Sequence, residues 1–187
     1  MKKLAALAAV FVLTLLVGCG NSSDNNNKAG TNTPANNGTA STATAAPDAV
    51  TSASVVDNGE DFKKAISKDG TWIAATLKDL TFTEALVVDG QFINKDKPAR
   101  KIALYTQDAD HNITNSFTLT APKITIKSEN ARIQGGTFVG DVYVEANGFS
   151  VVNATIEGNV YFSDEKYQAT YSASDQGKVT GVTEVQK

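Results

Sequence analysis

Arg132-Ile133-Gln134-Gly135-Gly136-Thr137-Phe138-Val139-Gly140-Asp141-Val142-Tyr143-Val144 aligns without a gap on Ser150-Val151-Val152-Asn153-Ala154-Thr155-Ile156-Glu157-Gly158-Asn159-Val160-Tyr161-Phe162, 18 residues further along the chain. Thr, Gly, Val and Tyr recur identically, and the pairs 133/151, 138/156, 142/160 and 144/162 match in apolar character. One step back, Ile124 and Ile126 fall under Val142 and Val144, and Ile113 under Ala131 and Phe149. One step forward, Tyr167 and Ala169 extend the column of Phe149 and Val151. Recurrence at such a period is the mark of coils that stack like on like.

The spacing predicts an all-β fold: a single-stranded right-handed parallel β-helix of about five or six short coils. Strand side chains alternate, so Val142 and Val144 point inward and Tyr143 and Tyr161 point outward. Gly140 and Gly158 stand where the chain must turn a corner and a Cβ is unwelcome. A left-handed hexapeptide helix also suits 18 residues per coil. Its rule of one apolar residue every six fails here, because Ile133 and Val139 are followed by Glu145. The rival fold is an antiparallel sandwich, which short strands with frequent turns also fit.

Earlier in the chain, Asp57-Asn58-Gly59-Glu60-Asp61 supplies N-cap candidates and an acidic first turn. Phe62, Ala65 and Ile66 follow at helical spacing, and Gly70 suits the C′ position. A short N-terminal capping helix is expected there, with Trp72 and Phe82 packed beneath it. Short β-rich runs follow at 72–77, 80–82, 85–88 and 101–105, separated by Asp-Gly and Asp-Lys-Pro turns. Lys178 to Val185 reads as a last strand with little sequence left to cover it.

Residues 20 to about 56 are almost entirely Asn, Thr, Ser, Ala, Gly and Pro, a composition that cannot bury enough surface to offset its ordering entropy. They are expected to be a disordered tether of about 37 residues, with a span of roughly 30–35 Å. In front of it, Lys2 and Lys3 precede an apolar stretch from Leu4 to Val17 of signal-peptide length. The stretch ends in Leu16-Val17-Gly18-Cys19, which resembles the lipobox of bacterial lipoproteins. That resemblance implies a signal peptide over 1–18 and a diacylglycerol thioether on Cys19. Two acyl chains suffice for stable attachment to a membrane. The expected organisation is signal peptide 1–18, lipidated Cys19 with its tether to residue 56, and a β-helix domain over 57–187. The expected address is the extracytoplasmic face of the cell membrane, which is the cell surface in a Gram-positive organism.

The Gly140-to-Val144 and Glu157-to-Phe162 pair resembles the glycine-punctuated coils of bactofilins, the polymer-forming right-handed β-helices of bacteria. The likeness runs from about Lys123 to Phe162 and implies self-assembly. From Thr71 to Val185 the chain is also similar to β-helical lipoproteins of clostridia and their relatives, a resemblance that implies no activity. Bactofilins are normally cytoplasmic, and the export signal departs from that pattern.

The chemistry of the chain is sparse. Cys19 is the only cysteine, so lipidation leaves the mature chain without a disulfide, a thiol nucleophile or a cysteine metal site. Loss of Lys2 and Lys3 takes the net charge from −3 to −5, which leaves no basic footprint for nucleic acid. His111 is the only histidine. Asp108, Asp110 and Asn112 imitate the start of a calcium loop, but Ile113 and Leu119 stand where that loop needs Gly and Glu, so an Asp/Asn turn is the better reading.

No cofactor and no metal are expected. Asp141 and Glu157 are outward acids, but the repeat sets Asn159 over Asp141 and Val139 under Glu157, so no acidic column forms for a polysaccharide lyase or glycosidase. The outward Tyr143 and Tyr161 are first a packing ladder between coils. Secondly they form a candidate binding stripe for a cell-envelope glycan or protein. The expected function is a membrane-anchored, non-catalytic binding or structural module of the cell envelope, existing as a monomer or weak dimer through its C-terminal face. A self-assembling envelope polymer and a small carbohydrate-active enzyme are the alternatives.

Overall fold

Gly140 and Gly158 both adopt positive φ, +137° and +156°, and each sits at a bend between two short apolar runs. Those bends belong to a structure made mostly of short strands, with two helices among the described residues. The structure, a computed structural model, describes residues 53–186; the expected signal segment and Cys19 lie outside the described residues. The first elements are β1 (Ala53–Val56), α1 (Gly59–Ile66), β2 (Ile73–Thr76), β3 (Leu80–Thr81) and β4 (Leu86–Val88). Then come a hairpin of β5 (Ile93–Asn94) and β6 (Lys97–Pro98), strand β7 (Arg100–Ala103), and a hairpin of β8 (Tyr105–Gln107) and β9 (Ile113–Ser116). The regular half holds β10 (Thr118–Ile126), β11 (Ala131–Gln134), β12 (Thr137–Val144), β13 (Ser150–Val152), β14 (Thr155–Glu157) and β15 (Val160–Phe162). Helix α2 (Glu165–Gln168) precedes β16 (Ser172–Ser174), β17 (Lys178–Val179) and β18 (Thr183–Val185).

The chain alternates between two sheets, both parallel. The first has the order β1-β2-β7-β11-β13-β16. The second runs β17-β14-β12-β10-β3; off this path β15 pairs with β12 and β18, and β4 pairs with β10. Only the β5–β6 and β8–β9 hairpins are antiparallel. Parallel sheets with crossovers of this kind suit a β-helix-like arrangement and are foreign to an antiparallel sandwich.

Register follows the sequence repeat where nothing is inserted. Val142 pairs with Val160 and Val144 with Phe162, and Ile124 and Ile126 lie on their other side. A second inward column runs Leu80, Leu119, Phe138, Ile156, Val179. A third runs Ala74, Ile102, Ile133, Val151, Ala173. From Leu119 to Val160 these side chains are wholly buried, and each contributes on the order of 1.5–3 kcal/mol.

Helix α1 closes the N-terminal end. The Asn58 side chain accepts the Asp61 amide, and Phe62, Ala65 and Ile66 are buried in the main core. Phe82 packs there too, its ring 5.8 Å from that of Phe62. The fully buried Arg100 holds the helix down. Its guanidinium donates to the carbonyls of Thr71, Ala65 (2.7 Å) and Ser67 (3.1 Å), under the Phe92 ring at 4.3 Å. Burial pulls the Arg100 pKa down to about 10, against the opposing pull of Asp89.

Several expectations are corrected. The ordered part begins before residue 57: β1 lies inside the stretch read as tether, because Val56 is buried and Ala53–Val56 pair with β2. Helix α1 stops at Ile66, not before Gly70; Ser67 is its C-cap and its hydroxyl folds back on the Lys64 carbonyl. Trp72 does not lie under α1. It packs outside the first sheet with Ile73, Ala75, Ala103 and Tyr105, a second cluster that the β8–β9 hairpin covers. Ile113 belongs to that hairpin, and Arg100, not Ile113, pairs with Ala131. Helix α2 lengthens the last crossover, so Ala173 rather than Ala169 follows Val151, and Tyr171 rather than Tyr167 stacks on Phe149. The single last strand is two, β17 and β18, joined by a corner at Thr180–Val182.

Candidate functional site

The outward tyrosines form one column. Val87, Thr125, Tyr143, Tyr161 and Glu184 are successive Cα partners on the side of the sheet that faces away from the core. The rings of Tyr143 and Tyr161 lie 5.1 Å apart and tilted by 45°, and the Lys123 ammonium stands 4.8 Å from the Tyr143 ring centre. Both rings are half-buried. Desolvation, reinforced by Asp141, Tyr143 and Glu184, raises the Tyr161 phenol above its ordinary pKa. A shallow cleft of 70 Å³ runs beside the rings and is bounded by Glu145, Ser163 and Gln186. The sequence repeat identifies the tyrosine pair. It does not identify Lys123, which shares its rung position with Asp141.

Of the two outward acids, Asp141 is engaged in the scaffold. Asp141 Oδ1 accepts both the backbone and the side-chain amide of Asn159, each at 2.9 Å. Asn159 Oδ1 in turn accepts the Val182 amide at 3.0 Å. This chain of bonds ties three neighbouring segments of the second sheet together beside Gly140 and Gly158. Glu157 lies beside Val139, away from Asp141. The 108–112 turn caps the β8–β9 hairpin: Asp108 accepts the backbone amides of Asp110 and Asn112 at 3.0 and 2.9 Å. Those bonds, with the Asn112 backbone contribution largest, hold the Asp108 carboxyl below its usual range. His111 adopts φ +66° there and its Nδ1 meets Gln107 Nε2 at 2.6 Å. Among the described residues no group of three His, Asp or Glu side chains converges as a metal site requires.

A second concavity escaped the sequence reading. Where the β8–β9 hairpin meets the second sheet, an open groove of 430 Å³ is lined by Ser116, Thr137, Asn153, Thr155, Gln176 and Lys178, with Ile113 as its apolar wall. Thr118, Thr137, Thr155 and Lys178 are successive register partners, so the hydroxyls form a ladder. The signal was present in the repeated threonine at 137 and 155; the hairpin wall left none. Hydroxyls, amides and one ammonium suit the binding of a hydrated polar chain more than proton transfer at neutral pH. No protein-family model, curated protein or solved structure matches the chain.

Proposed function

We propose that this chain is a lipid-anchored extracytoplasmic protein whose ordered part is a right-handed β-helix, acting as a non-catalytic binding or structural module of the cell envelope. The β-helix reading rests on the regular alternation between two parallel sheets. Each return to the first sheet is a parallel crossover, and such crossovers are right-handed in about 98% of proteins. The anchor reading rests on the Leu16-Val17-Gly18-Cys19 resemblance.

The observation that carries the non-catalytic reading is the bonding of Asp141. Its carboxylate is committed to Asn159, and neighbouring outward positions are stacked hydroxyls and phenols. Such ladders present a repetitive surface along which an extended envelope polymer or a partner protein can lie. Metabolic labelling with a fatty-acid analogue tests the anchor: Cys19→Ala is expected to abolish the label, and a label that persists removes the lipoprotein reading. Cosedimentation of the full chain with purified cell-wall polymer tests the binding role. Retention is expected to drop in Tyr143→Ala/Tyr161→Ala or in Thr137→Val/Thr155→Val. Glycan cleavage abolished by Asp141→Asn would overturn the non-catalytic reading and favour a carbohydrate-active enzyme.

A further inference from the structure

The two ends of the parallel sheets are finished differently. At the N-terminal end α1 packs across β1, β2 and β4, places Phe62 and Ile66 in the core, and is stapled by Arg100. At the other end β16, β17 and β18 each pair with one neighbour only, β13, β14 and β15 respectively. Among the described residues no strand pairs with their outer edges. Ala173 is exposed, and Tyr171, Val179 and Val185 are only partly covered although their columns are apolar. Helix α2 sits beside β15 and β18, and its Gln168 Nε2 donates to the Thr183 carbonyl of β18 at 3.4 Å, a long bond at the periphery that a pairing strand would replace. An open edge of this kind invites pairing with another strand.

The side chains on the edge select the partner. Ser172, Ser174, Lys178 and Glu184 point outward, and Ala173, Val179 and Thr183 continue the inward columns. A two-fold axis through the middle of β16 pairs that strand with itself antiparallel, sets Ala173 against Ala173, and exchanges β17 with β18. In that register Val179 meets Thr183 and Lys178 meets Glu184, inward on inward and outward on outward. Neither Lys178 nor Glu184 has an ion-pair partner among the described residues. An axis through β18 instead sets Glu184 against Glu184, a like-charge contact that disfavours it. The geometry points to a closed dimer of this chain, joined end to end through β16, β17 and β18 about an axis at Ala173, with Lys178 of each copy facing Glu184 of the other.

The inference rests on the β-helix reading and goes beyond it. A two-fold contact uses the same face of both copies, so pairing through this edge stops at two copies. The edge offers eight strand residues, against about 20–30 per side in a standard stable interface, which makes the dimer weak in solution. Confinement of both copies to one membrane raises their effective concentration.

Thiol cross-linking of the full chain in whole cells tests this, with the wild-type chain, whose only cysteine is Cys19, setting the background. Ala173→Cys is expected to give a dimer. Lys178→Cys alone and Glu184→Cys alone are expected to stay at background, and their co-expression to give the mixed dimer. The pair Ser150→Cys/Ser172→Cys, adjacent within one chain, is the internal control. If the control links within the chain but no dimer forms, the closed dimer is wrong and the β-helix reading stands. If Lys178→Cys links to itself as readily as to Glu184→Cys, the proposed axis is wrong. If the control itself fails, the strand register falls and the dimer with it.

Discussion

Gly158 stacks on Gly140: a Cβ on Gly158 would stand 2.1 Å from the Gly140 carbonyl oxygen, and one on Gly140 would stand 1.9 Å from that of Ala121. Three neighbouring segments of the second sheet therefore touch backbone to backbone at one corner. Both glycines also hold φ values that side chains rarely adopt. Gly140→Ala and Gly158→Ala should each cost about 1–3 kcal/mol from backbone strain alone, with the overlap adding to it. Denaturant unfolding measures this, and an alanine at either site with an unchanged midpoint would show that the corner does not need the close approach.

The inside-outside register gives a sharper contrast between adjacent residues. Val142 is wholly buried between Ile124 and Val160, so Val142→Asp places an unpaired carboxylate in the core. The expected cost is several kcal/mol, a large part of the stability of a small domain. Tyr143→Asp loses one ring contact and the Lys123 interaction, worth roughly 1 kcal/mol. Equal losses, or the reverse order, in thermal unfolding would contradict the register.

What the sequence made legible follows from where insertions fall. Between Ile124 and Phe162 nothing is inserted between paired strands, so Ile124, Val142 and Val160 succeed one another at 18 positions and the repeat is visible. Before that, the two hairpins lie between Leu80 and its partner Leu119, 39 positions on, and the period is lost. After it, α2 shifts Val160 to Thr183 by 23. Local apolar runs still located β2, β4 and β7, but not their partners. Ile73, Ala75 and Ala103 are buried outside the first sheet because Tyr105 and Ile113 cover them, and a short apolar run does not say which of its faces is covered twice. Tyr143 and Tyr161 were legible by identity. The groove was not, because Ile113 and Ser116, which wall one side of it, belong to an insertion.

The raised phenol of Tyr161, with that of Tyr171, raised by burial, gives a pH dependence. In the unfolded chain these groups ionise near 10, and the folded state keeps their protons to higher pH. Their contribution to stability is therefore complete below about 10 and is lost as pH rises through the folded values. Absorbance titration of phenolate should lose a late-ionising component in Tyr161→Phe and another in Tyr171→Phe. An unchanged late component in either variant would contradict the assignment.

Arg100 offers the most specific test of how the N-terminal end is closed. Its guanidinium is a fixed fork that reaches three backbone carbonyls around the end of α1, and a lysine ammonium on a flexible stem does not reproduce that fork. Arg100→Met fills much of the volume with an apolar chain but takes the guanidinium donor from the carbonyls of Ala65 and Thr71, while that of Ser67 keeps the Gly70 amide at 3.1 Å. Relief of the buried charge offsets part of that loss, since Arg100 already gives up proton affinity to stay inside. Each orphaned acceptor costs about 1–3 kcal/mol, so the balance falls on the side of destabilisation. Arg100→Lys should lie between Met and wild type. The loss should be local, with amide exchange accelerating first over Gly59–Ile66 and little change over Val142–Val144. A Met variant as stable as wild type, with α1 equally protected, would show that apolar packing of Phe62 and Ile66 alone holds the helix in place.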